Sequence, residues 1–430
     1  MHPNPDVMKP ETIDTVLLEQ QDELEVLRKS SLVHRSEEKL INLKSKLAQV
    51  VVGVRRSGKS TLCFNALEAA KVKYAYANFD DERFFNLKSE DLDALLATLY
   101  RIYGEFDYLF LDEIQNIEVW PLFVNRLLRQ GLRILLTGSN AKLLSSELAT
   151  HLTGRHHKIE LFPFSFVDWC RIHEVEYTRL TTKNRGILAR AYDDYMRKGG
   201  FPELIYEEDS KEYINALVNN IIRQDIQKRF KVRNIDELIT MANHLLNEAP
   251  AFIVKEVLEH TCDINIDHTV VKYLSYLTQT YLISTISKYS TRSRERVRNE
   301  KYYAIDVAFM DKRQNALAQD NYGWRLETIV YLELRRRYSG SGYDIYYYKD
   351  KTAEADFVVC NNSKALAVYQ VSYDISAEKT RKREIKGCIE GAKATKCNNL
   401  FLITDHEKED IEEKGYKIAV RPAYEWLTQE

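Results

Sequence analysis

Apolar positions along the first 170 residues switch between two periods. Between 13 and 29, IDTVLLEQQDELEVLRK sets Ile, Leu and Val at helical spacing above an acidic outer face, which predicts an amphipathic helix. From about 48 the rhythm changes. AQVVVGV is a short β-branched run and predicts a strand buried on both faces. STLCFNALEAA then predicts helix, KYAYANFD strand, SEDLDALLATLYRIYG helix and YLFLDE strand. PLFVNRLLRQG predicts a helix stopped at Gly131, followed by the strand RILLTGS, the helix AKLLSSELA and a fifth strand, HKIELFPF. Alternation of this kind predicts an α/β fold with a doubly wound parallel sheet.

After Phe166 the pattern is mostly helical, over 183–198 and 210–229, with GGFPELIY as a break between them. Residues 235–310 predict three helices and a hairpin, the strands lying around LISTISKY and EKYYAID. In the third helix Ile266, Val270, Tyr273, Leu274, Leu277 and Tyr281 share a face. That order is the layout of a winged helix. From 320 onward a helix, GWRLETIVYLELRRRY, and strands at YDIYYYKD, AEADFVVC, ALAVYQVS and NLFLIT predict a further α/β domain.

Composition narrows the class. A chain of 430 residues is long enough for two to four domains. With 44% hydrophobic and 29% charged residues it is globular rather than disordered, and 15 glycines and 8 prolines exclude collagen-like and Pro-rich architectures. Lysine plus arginine (62) nearly balances aspartate plus glutamate (64), leaving a net charge of −2. Any contact with nucleic acid must therefore use local patches. No apolar run reaches the roughly 20 residues a membrane span needs, and the first residues lack an apolar signal core. The six cysteines form no C-x-x-C pair, which fits thiols used as small core hydrophobes in a reduced, cytoplasmic protein.

Candidate chemistry concentrates in two places on the predicted sheet. Gly53-Val54-Arg55-Arg56-Ser57-Gly58-Lys59-Ser60 is a complete G-x-x-x-x-G-K-[ST] phosphate loop (Walker A) between a strand and a helix. Glycines allow backbone N–H groups to curl around a phosphate, and the helix N-terminus adds partial positive charge. Lys59 would reach the β- and γ-phosphates of ATP; Ser60, with Thr61 beside it, would ligate Mg²⁺. Arg55 and Arg56 have two candidate roles, phosphate contact or ion pairs with Asp80, Asp81 and Glu82; that acidic run is itself a candidate for the Mg²⁺ shell. Leu109-Phe110-Leu111-Asp112-Glu113 is an apolar strand ending in two carboxylates, the Walker-B pattern. Asp112 is the candidate Mg²⁺ anchor and Glu113 the candidate base for the attacking water. Gln115 is a candidate water-positioning group. A strand lies between the two motifs and a Glu directly follows the Asp, the arrangement of additional-strand hydrolysing ATPases. The fourth strand ends in Thr137-Gly138-Ser139-Asn140. One of Thr137, Ser139 and Asn140 is a candidate sensor of the γ-phosphate, while Ser139 and Asn140 equally suit the N-cap of the next helix.

GVRRSGKST, YANFDDERF, YLFLDEIQNIEVWPLFVNRLL, ILLTGSNAKLLSSELATHLTGR, LFPFSFVDW and GGFPE occur in that order. Together they resemble the prokaryotic AAA-type P-loop ATPases that carry a C-terminal restriction-endonuclease-like domain of unknown function. The resemblance runs from about residue 35 onward. After the N-terminal helical segment (1–34) that the periodicity predicts, it implies an AAA-type P-loop NTPase domain (35–165), a helical lid or linker (166–230), a winged helix (231–310) and a nuclease-like α/β domain (311–430). It makes Arg155, in LTGRHHK, a candidate arginine finger or sensor arginine acting in its own site or a neighbour's, with a structural salt bridge as the alternative. It also aligns Glu327, Asp356 and Gln370 with a nuclease metal site. The chain departs from that pattern: Ser372 stands at the lysine position and Gln370 at an acidic one, so the expectation is a degenerate, non-cleaving module, with a metal-dependent nuclease as the alternative. Arg292, Arg294, Arg296, Arg298 and Lys301 fall on the expected wing, a candidate track for DNA phosphates. Arg223, Lys228, Arg229, Lys231 and Arg233, then Arg335 to Arg337, then Lys379 to Arg383, are further basic runs. A protein partner or self-association is the alternative to DNA.

Overall fold

The computed structural model describes residues 10–30, 32–117, 120–139, 152, 154–207, 210–264, 267–290, 292, 295, 300–311, 321–339 and 342–429. The chain divides into two compact units, Met1–Leu161 and Phe162–Glu430. Among the described residues the strands form two sheets, one in each unit.

The first unit is built on β1 (Ala48–Val52), β2 (Tyr74–Asn78), β3 (Tyr108–Asp112), β4 (Arg133–Gly138) and β5 (His156–Glu160), in the order β2-β3-β4-β1-β5. Every pairing is parallel, as the strand–helix alternation requires. The order corrects one detail of the sequence reading. In the chain, β2 lies between the two motif strands; in the sheet, β4 separates β1 from β3, and β2 is the edge. β1 is buried along its whole length, because the sheet is covered on both faces. Val51, Phe110 and Leu135 from three neighbouring strands pack with Leu62, Phe64 and Leu67 of α2 (Lys59–Ala70). α1 (Pro10–Lys29) belongs to this unit. Its Gln20 side chain donates to Asn78 O at 2.9 Å and accepts from Asn78 N at 3.0 Å, pairing backbone groups of the edge strand. α3 (Leu92–Tyr103) and α4 (Trp120–Arg129) complete the described crossovers. The helix expected at 141–149 lies outside the described residues.

In the second unit the helices expected at 183–198 and 210–229 are Thr182–Lys198 and Ser210–Asn220, the latter continued by a π-helical stretch, Ile221–Gln227. Ile235–Glu248, Lys255–Thr261 and Asp267–Gln279 are the three helices that precede the hairpin of β7 (Ile283–Lys288) and β8 (Glu300–Ala304). This hairpin is not a free wing. β7 pairs in parallel with β9 (Tyr343–Lys349), Ser287 opposite Tyr346, so the hairpin extends the C-terminal sheet. Nine strands run in the order β13-β14-β12-β11-β10-β9-β7-β8-β6. Of these, β6 is Ala251–Phe252, β10 Glu354–Asn361, β11 Lys364–Val371, β12 Leu400–Thr404, β13 Glu409–Glu413 and β14 Tyr416–Pro422. The helices Tyr322–Arg337 and Glu378–Thr395 belong to the same unit; Ile385, Cys388 and Ile389 of the second enter one core with Ala355, Val358, Val368 and Leu402.

Candidate functional site

Residues 53 to 60 leave the buried end of β1 and turn into α2. The turn needs its glycines. Gly58 sits at φ 87°, in the left-handed region that glycine favours. A Cβ on Gly53 would lie 2.1 Å from the Leu161 carbonyl oxygen, so the backbone can pass there only without a side chain. The loop is braced from outside the motif by Arg35, a buried residue whose guanidinium donates to Ser57 O at 3.1 Å and pairs with Glu37 at 3.1 Å. Nothing in the local pattern of RSEEKL singles that arginine out.

The carboxylate pair meets the loop across β4. Ser60 Oγ donates to Asp112 Oδ1 at 2.9 Å, Tyr76 OH donates to Asp112 Oδ2 at 3.2 Å, and Thr137 Oγ1 donates to Asp112 Oδ1. The same Thr137 hydroxyl accepts from Glu113 N at 2.9 Å, so one side chain of β4 locks both Walker-B residues. Glu113 turns out of the strand at φ 50° and places Oε1 3.4 Å from Lys59 Nζ; that ammonium also donates to Val54 O at 3.3 Å. Gln115 donates to Glu113 Oε2 and, at 3.5 Å, to Ser139 Oγ. Of the three sensor candidates, then, Thr137 holds the carboxylates and Ser139 faces Gln115; Asn140 lies outside the described residues. Arg55 pairs with Asp80 at 3.2 Å, and Asp81 is engaged by Arg83. Arg155 is exposed and donates to Asn125 Oδ1 at 2.6 Å.

Electrostatics divide the two carboxylates. Burial and the adjacent Glu113 charge push Asp112 from 3.8 to about 6, although Thr137, Ser60 and Lys59 oppose the shift. Glu113 is partly buried, which acts to raise it; Lys59, Gln115 and Arg55 outweigh that and hold it below its ordinary range. Glu113 is thus ionised at neutral pH, while Asp112 carries its proton more readily. Asp112 binds its proton more tightly folded than unfolded, so its contribution to stability is full at low pH and is lost as pH rises through about 6. The ionised carboxylate is a cost of about 3 kcal/mol. Asp112→Asn should raise the thermal midpoint at pH 7.5 by a few degrees while abolishing magnesium-dependent ATP affinity; a lower midpoint would contradict this. In the wild-type chain the same affinity should fall as pH drops from 7 to 5.

The donor set fits a magnesium–nucleotide. Ser57 Oγ is buried in the loop with no hydrogen-bond partner among the described residues. The Lys59 ammonium, the N-terminus of α2, the Ser60 hydroxyl and a polar-walled carboxylate converge on one spot. Backbone amides and a lysine suit phosphates; hydroxyl and carboxylate oxygens suit a hard cation.

A second constellation forms in the other unit. Glu327, Asp356 and Gln370 do come together, at a cavity of about 680 Å³. Two further residues join them. Lys301, which the sequence places beside the wing arginines, points inward from β8, 6% exposed, with Nζ 2.7 Å from Glu327, 3.3 Å from Glu354 and 3.5 Å from Asp356. It therefore belongs to no surface track. Glu384, on the helix Glu378–Thr395, accepts from Gln370 Nε2 at 2.7 Å, while Gln370 Oε1 accepts from Asp356 N at 3.3 Å. An amide is what this position needs, since a glutamate at 370 would face the Glu384 carboxylate. Burial, then the charge of Glu327, push Asp356 well above the usual carboxylate range. The signal for Lys301 was available: alternation on β8 puts it on the same face as Tyr303, whose hydroxyl also donates to Glu327, at 2.8 Å.

The other basic runs separate. Arg292 is exposed and pairs with Glu295 at 3.3 Å; Arg294, Arg296 and Arg298 lie outside the described residues. Arg335, Arg336 and Arg337 are not a patch: they bond to Tyr331 OH, Pro163 O and Trp426 O inside the unit. Arg381 pairs with Glu409.

A phosphate loop opening α2, with an Asp-Glu pair on a strand one removed from β1, defines an AAA-type P-loop protein. A family model described as an AAA domain matches residues 45–170, and two domains of unknown function, DUF8612 and DUF4143, match 189–319 and 322–424. The chain is 32% identical over 421 residues to Uncharacterized protein MJ1544 of Methanocaldococcus jannaschii, covering 94% of this chain and 93% of that protein. It belongs to the family of that archaeal protein. An uncharacterized protein of Haemophilus influenzae is 31% identical over 345 residues, 76% of this chain and 82% of its own. Among solved structures, the RuvB Holliday junction branch migration motor of Thermotoga maritima aligns at TM-score 0.30 and 15% identity over 64% of this chain and 93% of its own. Cdc6p of Pyrobaculum aerophilum aligns at 0.24 and 13%, over 76% and 97%. Among the described residues no helix is long and apolar enough to cross a membrane.

Proposed function

We propose that the chain binds Mg-ATP in the loop Gly53–Thr61 and hydrolyses it, coupling turnover to a change in a DNA- or protein-bound state. The observation that carries this reading is the three-donor cage that holds a buried aspartate beside an ionised Glu113 and the loop lysine. Lys59 and the loop amides would hold the phosphates; Ser60 and Asp112 would hold Mg²⁺, which neutralises phosphate charge when bound. Glu113 is the base that orients and deprotonates water, and Arg155 is retained as a candidate for charge stabilisation from its own or a neighbouring chain.

An ATP-gated module with slow turnover is the second reading. It is favoured by the Lys59–Glu113 ion pair, which ties the phosphate-binding cation to the base and must open before either acts. Phosphate release by the full chain with ATP and magnesium separates the two: steady multiple turnover supports the enzyme, and stoichiometric binding with less than one turnover per hour supports the switch. Lys59→Ala should remove both binding and turnover, and unchanged ATP binding in that variant would discard the loop as the site.

A further inference from the structure

The cavity in the second unit departs from an ordinary carboxylate cluster in one respect: a cation is already in it. Glu327 comes from the helix Tyr322–Arg337, Glu354 and Asp356 from alternate positions at the start of β10, and all three direct an oxygen at the Lys301 ammonium. The lysine is held as well as attracted. Its Nζ lies 5.6 Å from the ring centre of Phe252 and 5.9 Å from that of Tyr303, and Tyr303 is hydrogen-bonded to the same Glu327 oxygen that Lys301 contacts. Glu354 is shared with a second ammonium, Lys349, at 2.7 Å. The far side of Asp356 is tied to Val371 N at 2.9 Å.

We propose that Lys301 is the resident cation of this cluster, a built-in plug that keeps a divalent metal off the floor of the cavity. An ammonium and a metal ion compete for the same carboxylate oxygens, and the tethered one needs no free-ligand concentration to hold its place. Asp356 is buried and Glu327 and Glu354 are partly buried, and Lys349 reaches only Glu354, so removing Lys301 leaves the Glu327 and Asp356 oxygens without a cation and open to a hard one. While Lys301 stays, any chemistry needing a metal on Asp356 is shut off, whatever the cavity admits. This inference is independent of the ATP reading, because it concerns other residues and is tested without nucleotide.

The test is Mn²⁺ uptake by the full chain, followed by the loss of the free-ion resonance signal, in an Asp112→Asn background that silences the loop site. The parent should take up no tightly held Mn²⁺. Lys301→Met in that background should take up one per chain, at least about tenfold more tightly than the parent, and adding Asp356→Asn should abolish it. Equal affinity in parent and Lys301→Met, or no uptake by a Lys301→Met chain that melts cooperatively, overturns the proposal. Should that variant fail to fold, Lys301→Met with Glu354→Gln removes one charge of each sign and is expected to show the same gain, only weaker. A parent that already binds Mn²⁺ tightly and loses it on Asp356→Asn also overturns the proposal, without any change at Lys301.

Discussion

Glu113→Gln is expected to lower ATP turnover by about 10²–10⁴-fold while leaving Mg-ATP affinity within a few-fold of wild type. The substitution keeps the size of the side chain and its contact with Gln115, and it removes only the charge. Because Lys59 and its neighbours hold Glu113 below its ordinary range, the wild-type group is ionised throughout the neutral range and can accept a proton. The amide cannot. It also no longer attracts the Lys59 ammonium across 3.4 Å, so the lysine is released toward phosphate and affinity should stay level or rise. Phosphate release and equilibrium nucleotide binding, measured on one preparation, decide the matter. Turnover within twofold of wild type would remove Glu113 as the base, and lost affinity would make it a structural group of the loop.

Gly200→Ala should destabilise the second unit by more than about 4 kcal/mol, enough to abolish its cooperative transition. The reason lies in a junction of three segments. Phe164 N donates to Gly200 O at 2.7 Å, and a Cβ on Gly200 would stand 2.3 Å from Phe164 O. That carbonyl also accepts from Tyr195 OH at 2.9 Å, so it has no freedom to retreat. On the other side the buried Asp306 carboxylate accepts from Gly200 N at 2.9 Å and Ala308 N at 2.8 Å, and a Cβ on Gly199, at φ 85°, would come within 2.1 Å of it. Urea unfolding followed by near-ultraviolet circular dichroism measures the loss. A shift below about 1 kcal/mol would mean that the junction yields, contrary to its close contacts.

That junction shows why GGFPE and LFPF were conspicuous in the chain without revealing a role. Their meaning is a backbone-to-backbone approach between segments far apart in sequence, and Asp306, which completes it, sits in a strand-end motif that looked ordinary. The edge hairpin β13–β14 escaped for a different reason. Glu409–Glu413 is half exposed and heavily charged, as an edge strand should be, and so carries little hydrophobic signal.

The glycine-lysine loop and the Asp-Glu pair were legible in the chain because each is built from neighbours in sequence: consecutive residues turn the backbone from β1 into α2, and an apolar strand delivers two carboxylates at its end. The strand–helix alternation likewise determined a parallel sheet, since periodicity is a local property. Only the tertiary structure decided that β4 separates the motif strands, that Thr137 and Tyr76 secure Asp112, and that Arg35 braces the loop. It alone brought Lys301 and Glu384 to Glu327, Asp356 and Gln370, turning what reads as an incomplete set into a closed network around an internal ammonium. Such convergence is set by sheet order and by which face of a strand is inward, and charge balance inside a buried cluster is a sum over elements that no single stretch of sequence contains.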